Sequence, residues 1–353
     1  MIDYGRAPLV DEIEVTLFGP GLGEAIAAHL GNGVWLLVDS CEATPGAGPE
    51  SISYLRSIGA GPGQVRAIVA THWHDDHVGG MARIVKECSA ATVFVSGALR
   101  EREALSFLAV YGNIDIAQTG GTKELAAVLR ATRVKVASSQ TYIIDEAING
   151  RNVKVAALSP LPETSAIAAA HFGKYLISEN SPINKAPPEP SPNAAAVVLH
   201  MDFGGEAVLL GADLEDNKRW GWTAMVSDPW VLQRPRATAY KVSHHGSQSG
   251  DSPHLWHTLL RPEPVACLTP FIRGRHLLPT EGDRARIRSH AGSAYISSNA
   301  SRKPAMEYDQ LKRLNDIASN VRRIHTGLGA VRLRKKIGAD AWGVELFGAA
   351  ARL

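Results

Sequence analysis

The chain has 353 residues, of which 45% are hydrophobic and 20% charged, and its formal net charge is +2. This composition is typical of a soluble globular protein with an ample core, and the near-neutral charge indicates nothing about partners. No apolar run is long enough to cross a bilayer, and the first eight residues lack the order of a signal peptide, so we expect no membrane association. The cysteines Cys41, Cys88 and Cys267 are scattered without a C-x-x-C pair, which favours reduced thiols and a cytoplasmic protein.

Short apolar segments alternate with helix-like segments along most of the chain. The strand-like segments are 12–18, 34–39, 65–70, 91–96, 153–158, 195–201, 206–211, 238–242, 265–269 and 294–297. The helix-like segments are 49–57, 81–87, 98–108, 123–129 and 280–289. This mixture predicts an α/β fold in which helices cover β-sheets.

Residues 160–192 interrupt this alternation with a proline-rich stretch that includes Pro187, Pro188 and Pro190. The composition predicts a flexible insertion of polyproline character. A lid or substrate loop over a binding site is the alternative interpretation.

The pattern changes again near residue 300. A helix is predicted at 306–319, followed by strand-like pieces at 322–326, 329–336 and 342–347, of which the last two form a hairpin. We therefore divide the chain into a main domain, 1–299, and a short C-terminal α/β extension, 300–353. The extension carries eleven Arg and Lys against five Asp and Glu, a net charge of +6 (11 − 5). Either a solvated face or a surface that contacts nucleic-acid phosphates has such a charge.

One segment concentrates metal-binding side chains: Thr71-His72-Trp73-His74-Asp75-Asp76-His77-Val78-Gly79-Gly80. It follows a buried strand and precedes a helix, so it forms a turn. Because alternate residues of an extended segment share a face, His72 and His74 can bind one ion, and Asp76 and His77 a second. Imidazole with carboxylate suits one or two zinc ions, with manganese or iron as alternatives.

Further ligands should come from the ends of other strands, where strand tips converge. Asp213 ends an apolar strand and can bridge two ions, although a helix N-cap is the alternative. His244 and His245 end another strand and point to opposite sides, which favours His244 as the metal ligand and His245 as the group beside the substrate. Asp39 also ends a strand and is placed to hydrogen-bond a ligand imidazole.

The pattern H-x-H-x-D-H at His72 to His77 resembles the signature of the metallo-β-lactamase superfamily. Six further features resemble the metallo-β-lactamase domain of ComEC-type competence proteins. They lie at 18–26 (G-x-G-D-A), Asp39, 193–199 (N-N-x-S), 210–213 (T-G-D), 241–247 (K-V-G-H-H-G-S) and 275–279 (R-Y-G-H-P). The resemblance covers residues 12–298 and implies a four-layer αβ/βα sandwich with a two-metal site at one edge.

The resemblance implies supporting or substrate roles for six residues: Asp39, Ser159, Asn193, Lys241, Ser247 and His276. Ser159 stands where most members of the superfamily bring a third histidine to the first ion. The first ion is therefore expected to be held more weakly, unless His171, His200 or His276 substitutes. The membrane channel that accompanies this domain in competence proteins is absent from the sequence.

These patterns predict a metal-dependent hydrolase in which Asp76, Asp213 and His245 act at the reaction centre. The favoured activity is that of a phosphodiesterase or nuclease, from the branch resemblance and the basic extension, which would contact nucleic acid. The alternatives are a hydrolase of another ester or amide, such as a lactone, thioester or β-lactam, and a non-catalytic binding protein. The sequence does not predict the oligomeric state.

Overall fold

Two eight-stranded β-sheets form the centre of the protein. The computed structural model describes residues 2–44, 46–100, 120–130, 133–164, 192–273, 276–299 and 327–353. The first sheet contains β1 (Glu12–Gly19), β2 (Ala25–His29), β3 (Trp35–Val38), β4 (Val65–Ala70), β5 (Thr92–Ser96), β6 (Val134–Ala137), β16 (Gly329–Lys336) and β17 (Gly343–Gly348). The second contains β7 (Thr141–Ile148), β8 (Arg151–Ala157), β9 (Leu199–Asp202), β10 (Ala207–Leu210), β11 (Ala237–Lys241), β12 (Leu260–Leu268), β15 (Ser293–Ile296) and β18 (Ala351–Arg352). A separate hairpin joins β13 (Phe271–Arg273) to β14 (His276–Leu278).

Helices cover the outer face of each sheet. The first sheet is covered by α1 (Glu50–Ser57), α2 (Asp75–Val78), α3 (Met81–Glu87) and α4 (Gly120–Leu129). The second is covered by α5 (Trp222–Met225), α6 (Pro229–Leu232), α7 (Pro253–Thr258) and α8 (Glu281–His290). One hydrophobic cluster lies between the sheets and one lies under each helix layer. The predicted four-layer αβ/βα sandwich is therefore confirmed.

Parallel strands place the ends of several segments at one edge of the sandwich. In the first sheet β3, β4, β5 and β6 run parallel to one another. In the second sheet β10, β11, β12 and β15 do the same. The loops that leave the carboxyl ends of these strands carry the candidate ligands, in agreement with the general position of sites in open α/β sheets.

The predicted elements match the structure best where a short apolar run is bounded by turns. The strands at 65–70 and 206–211 and the helix at 280–289 are confirmed with small shifts of their ends. The strand predicted at 195–201 begins only at Leu199, because the backbone N–H of Val197 bonds across to Thr71 O at 3.1 Å instead of entering the ladder.

Some predictions fall outside the described residues. The helix at 306–319, the strand at 322–326 and most of the insertion at 160–192 lie there. The helix predicted at 98–108 begins as a 3₁₀ turn, Gly97–Arg100, and its remainder is also outside. Among the described helices none is long and apolar enough to cross a bilayer.

The described part of the C-terminal segment is built into both sheets. The predicted hairpin is present as β16 and β17, and β16 pairs with β1 over eight residues from Gly329 to Lys336. The last strand, β18, pairs with β15 of the second sheet. Residues 327–353 therefore complete the sandwich rather than extend from it.

The basic residues of β16 point mostly into the protein, which changes the expected phosphate-contact surface. Arg332, Arg334 and Lys335 are buried and ion-paired with Glu345, Glu14 and Glu206, respectively. Only Lys336 is exposed, with its Nζ 3.1 Å from Asp11 Oδ2. Three of the cations that suggested a nucleic-acid surface therefore serve internal ion pairs.

Candidate metal centre

Six side chains from three loops, which follow β4, β10 and β11, meet at the sheet edge. One group consists of His72, His74 and Asp213, and a second of Asp76, His77 and His245, each with ligand atoms within 4.8 Å of one another. The first loop leaves β4 and passes through α2. It carries the pair His72 and His74 and the pair Asp76 and His77, as the sequence predicts. Gly80, with φ +79°, lets the chain turn from α2 into α3, and a Cβ there would lie 3.0 Å from a Glu42 oxygen.

Asp213 lies between the two groups, at the end of β10. Its Oδ2 is 4.0 Å from His72 Nε2 and 3.4 Å from His245 Nε2. Its Oδ1 is 3.4 Å from His77 Nε2. The second group is closed by Asp76, whose Oδ2 is 3.2 Å from His245 Nε2. Asp213 therefore approaches side chains of both groups, as a bridging ligand would, with Oδ2 near one histidine of each group.

Three buried polar atoms of this centre have no hydrogen-bond partner among the described residues. They are His77 Nε2, His245 Nε2 and Asp213 Oδ1. A buried polar atom without a partner costs about 1–3 kcal/mol, so such atoms are rare unless a ligand supplies the missing contact. Their convergence, together with the imidazole and carboxylate donors, fits a divalent metal ion such as zinc.

Asp39 and Thr71 orient two of the imidazoles from behind. The Asp39 carboxylate accepts hydrogen bonds from Thr71 N, Thr71 Oγ1 and His77 Nδ1, each at 2.7 Å. Because the Thr71 hydroxyl donates to Asp39, it accepts from His72 Nδ1 at 2.9 Å. Both rings therefore carry their proton on Nδ1 and turn Nε2 toward the centre. Asp39 adopts a positive φ of 56°, which aims its side chain back at the loop.

A second buried chain orients His245. Thr269 Oγ1 donates to Glu24 Oε2 at 2.6 Å and lies 2.9 Å from His245 Nδ1, from which it accepts. Glu24 also pairs with Lys241, whose Nζ lies 2.6 Å from Oε1, donates to Ala212 O at 2.9 Å and is 3.8 Å from Asp213 Oδ1. Lys241 thus holds the backbone just before the bridging carboxylate, which is a supporting position.

The electrostatics of the centre are dominated by burial and by its carboxylates. Burial, helped by His77 and His74, holds the pKa of His72 well below its ordinary range. Burial also acts to lower the pKa of His77 and His245, but Asp213 and Asp76 outweigh it and raise them, that of His245 to about 9. Burial raises the pKa of Asp213, yet His245 and His77 outweigh burial and hold it well below its usual range. The carboxylates therefore stay ionised and attract positive charge.

His244 and His245 occupy different surroundings, and the structure groups His245, rather than the predicted His244, with the other candidate ligands. Both residues have positive φ, 46° and 52°, an uncommon backbone that separates their rings to 6.3 Å. His244 lies at the cavity wall, with Nδ1 2.9 Å from Ser249 Oγ and 3.3 Å from Glu215 Oε1. Among the described residues His244 belongs to neither candidate group and lines the cavity instead.

The remaining predicted residues divide between the cavity and the frame. Asn193 Nδ2 lies 3.4 Å from His244 Nε2, and Ser247 and His276 line the cavity. Ser159 instead donates to Ala196 O at 2.6 Å and accepts from Val198 N at 2.9 Å. Its hydroxyl fastens two chain segments together and belongs to neither ligand group. His200, one proposed substitute, bonds to Pro235 O at 2.8 Å and is also outside both groups.

A cavity of about 560 Å³ opens over the centre. Its wall consists of His74, Asp75, Asp76, Asp213, His244, His245, Ser247, Phe271, Arg273, His276, Leu277, Leu278 and Thr280. The hairpin of β13 and β14 contributes the apolar and basic residues of this wall. The cavity is large enough for a small organic substrate.

Sequence reasoning missed several functional candidates, namely Glu24, Thr71, Thr269, Phe271 and Arg273. Glu24 occupies the acidic position of the G-x-G-D-A-like segment, so a signal was present. Thr269 directly follows β12, and the convergence of strand ends would have selected it. Phe271 and Arg273 had no such signal, because nothing local places the hairpin over the centre.

Comparison with known protein families gives one match, which covers part of the chain. The family model described as the metallo-β-lactamase superfamily matches residues 21–109, which include Glu24, Asp39 and the H-x-H-x-D-H segment. No curated protein sequence matches the chain.

Solved structures with a similar fold include a metallo-β-lactamase fold protein and two metallo-β-lactamases. The metallo-β-lactamase fold protein YhfI from Bacillus subtilis is 12% identical, covering 81% of this chain and 95% of its own, with a TM-score of 0.42. MEM-A1, a subclass B3 metallo-β-lactamase from a soil metagenome library, is 13% identical over 69% and 80%, with a TM-score of 0.37. A metallo-β-lactamase from Cronobacter sakazakii is 15% identical over 63% and 77%, with a TM-score of 0.33.

Proposed function

From a chain with the metallo-β-lactamase fold and a superfamily domain matched at residues 21–109, we propose a metal-dependent phosphodiesterase, most simply a nuclease. The observation that carries the proposal is the convergence of three buried atoms without a hydrogen bond, His77 Nε2, His245 Nε2 and Asp213 Oδ1. Asp213 and His245 also line the cavity. When bound there, zinc, manganese or iron supplies Lewis acidity and lowers the pKa of a water molecule from about 15.7 toward ~7.

The side chains of this protein then have separate tasks. His72, His74 and Asp213 would hold one ion, and Asp76, His77 and His245 would hold a second. Asp213 also lies 3.4 Å from both His77 Nε2 and His245 Nε2. Four of the six, His72, His77, Asp213 and His245, are buried. Hydrogen bonds to Thr71, Asp39 and Thr269 orient the three buried imidazoles, which preorganises the centre for a substrate.

We assign the substrate side to His244. Its side chain is 19% exposed at the cavity wall, and Ser249 and Glu215 fix its ring from behind. In this position its ring is placed to exchange a proton with a substrate oxygen. This exchanges the roles that the sequence alone suggested for His244 and His245.

Two observations favour a phosphodiester over other esters. The cavity mouth presents Arg273 and His276, whose positions suit an anionic substrate. The segments at 193–199 and 241–247 also resemble ComEC-type domains. The buried cations of β16 contribute nothing to this argument, so a nucleic-acid partner is proposed from the cavity and not from the extension.

A substrate panel tests the proposal directly. The purified protein, with its metal content measured by elemental analysis, is offered bis(p-nitrophenyl) phosphate, a lactone, a thioester and a β-lactam. We expect metal-dependent cleavage of the phosphodiester, abolished by His77→Ala and unchanged by His254→Ala, an exposed histidine on α7. Cleavage of a lactone, thioester or β-lactam without cleavage of the diester would overturn the proposal, as would a metal-loaded protein that cleaves none of the four.

A further inference from the structure

The hairpin of β13 and β14 lies at the cavity mouth. None of its described residues belongs to the two candidate ligand groups. Its strands pair in antiparallel register, with Phe271 opposite Leu278 and Arg273 opposite His276. Because alternate residues of a strand share a face, these four side chains lie on one face, and all four line the cavity. The face therefore has an inner apolar pair and an outer basic pair.

The inner pair lies directly beside the candidate metal centre. The Phe271 ring is 5.4 Å from the His245 ring, at an interplanar angle of 37°. Phe271 and Leu278 are only partly buried, so they leave apolar surface for a ligand. A flat ring attached to the scissile group would find its stacking surface here.

The outer pair is one strand repeat farther from the centre. Two residues along an antiparallel strand span about 6.8 Å, which separates Arg273 from Phe271. Arg273 and His276 are both exposed. Within the described parts of the chain, neither makes an ion pair or a hydrogen bond. The ion pairs of Arg286 and Arg288 on the neighbouring helix α8 show that nearby arginines do find carboxylates.

From this order we propose that the hairpin is a strand-binding subsite for single-stranded nucleic acid, a specificity determinant that rests on the proposed function. The scissile phosphate lies at the metal centre, the adjoining base stacks on Phe271 and Leu278, and the next phosphate contacts Arg273 and His276. Stacking on an aromatic ring with a cation beside the backbone is how proteins bind single strands without reading sequence. A base-paired duplex cannot present an unstacked base to Phe271.

Binding of a cleavage-resistant ligand tests the subsite separately from catalysis. The metal-loaded protein is titrated with a fluorescent ten-nucleotide phosphorothioate oligothymidylate, and anisotropy is followed at several salt concentrations. Phe271→Leu keeps an apolar side chain but removes the stacking ring, and we expect binding about tenfold weaker. Arg273→Gln should reduce the slope of log Kd against log salt by about 0.7, the value for one phosphate contact on a single strand.

The control is Arg261→Gln, which removes an exposed arginine at the opposite end of β12 from Thr269 and should bind like the parent. Unchanged metal content and thermal unfolding show that each variant is folded. If Phe271→Leu and Arg273→Gln both keep the affinity and the salt slope of the parent, the inference is overturned. It is also overturned if the parent binds the oligonucleotide equally well after it has been paired into a duplex.

The same preparations separate this inference from the proposed function. Cleavage of bis(p-nitrophenyl) phosphate by a protein whose oligonucleotide binding ignores both substitutions overturns the subsite alone. Oligonucleotide binding that depends on Phe271 and Arg273, in a protein that cleaves no phosphodiester, overturns the proposed activity and leaves the subsite in place.

Discussion

The protein buries charged side chains in two regions, and only one of them leaves polar atoms without partners. On the outer face of the first sheet, Glu14 accepts from Arg334 at 2.5 Å and from Thr16 at 2.9 Å, and it also bonds to the Tyr54 hydroxyl. At the metal centre, by contrast, His77 Nε2 and Asp213 Oδ1 have no such contact. Burial of charge is common to both regions, so burial alone does not identify a functional site.

The difference lies in where the missing contact points. In the Glu14 cluster every neighbour comes from the protein, and Arg332 extends it by donating to Tyr4 O at 2.7 Å and to both oxygens of Glu345. In the metal centre the atoms without a hydrogen bond lie close together, with His77 Nε2 3.4 Å from Asp213 Oδ1, and Asp213 and His245 also line the cavity. We call the ion pairs around Glu14 the closed set, which stabilises the fold. We call the six candidate metal ligands the open set, which leaves room for an ion.

The largest expected effect removes the open set. The double substitution His72→Ala and His74→Ala should eliminate bound metal and abolish hydrolysis, because one group loses two of its three side chains. Elemental analysis and phosphodiester cleavage are the measurements, and the matched control is His254→Ala with His257→Ala, two exposed histidines of α7. Equal metal content in the double variant and the parent would show that the site is assigned to the wrong residues.

The next effect breaks the closed set. Arg334→Met leaves Glu14 buried without its cation, and we expect a loss of about 3–5 kcal/mol in the free energy of unfolding. Chemical denaturation measures the loss, and metal content should stay at the parental level. Lys336→Met, at a side chain that is 65% exposed, is the control and should change the free energy of unfolding by less than about 1 kcal/mol. A loss of metal in Arg334→Met would contradict the separation of the two regions.

A smaller effect concerns the support behind the ligands. Asp39→Asn weakens the acceptor that fixes His77 and, through Thr71, His72, so metal affinity should fall about 10- to 100-fold. Competition with a chelator of known affinity measures this change. Asp202→Asn, which alters an acceptor for Gly204 N at a surface turn, is the matched control. If affinity is the same in all three proteins, Asp39 does not support the centre.

The smallest expected effect is a pH dependence of the free energy of unfolding, which comes from the ion pair of Arg6 with Glu12 beside the closed set. The hydrogen bond from Arg6 lowers the pKa of Glu12 from 4.5 to about 2. A lowered folded-state pKa contributes stability above pH 4.5 that is lost as the pH falls toward 2. Since Arg6 is 54% exposed, the contribution should be at most about 1 kcal/mol.

Acid unfolding of Glu12→Gln measures this contribution as the difference from the parent. That difference should shrink between pH 4.5 and pH 2, whereas the exposed control Glu163→Gln should follow the parent throughout. A difference between Glu12→Gln and the parent that stays constant with pH would show that the ion pair contributes nothing.

The sequence predicts that several candidate ligands lie close together, because four of them share one turn. The order of His72, His74, Asp76 and His77 on one turn determines which pair serves which ion, and the structure keeps that order. Asp213 was predicted from the end of an apolar strand. For His244 and His245, two positive φ angles override the simple alternation of a strand, and the structure groups His245 with the other candidates.

The C-terminal charges show the opposite limit. From its net charge, the segment is predicted to form either a solvated face or a surface that contacts phosphates, and the run Val331-Arg332-Leu333-Arg334 alternates as a half-exposed strand does. In the structure Tyr4, Tyr54 and Phe347 cover that face, and the Arg332 guanidinium lies 4.7 Å from the Phe347 ring centre. The cover comes from residues more than 270 positions away or from the next strand, which a local pattern does not contain.

The pairing of β1 with β16 has a consequence for the order of assembly during synthesis. Strand β1 leaves the ribosome before the other strands of its sheet, but its partner on one side, Gly329–Lys336, begins 310 residues (329 − 19) after β1 ends. Until then β1 presents an unpaired edge with Glu14 lacking Arg334, and such an edge is a template for wrong pairing. The loops that carry His72 to His77 and Asp213 have already emerged by that time, so the ligands are present before the sandwich is sealed.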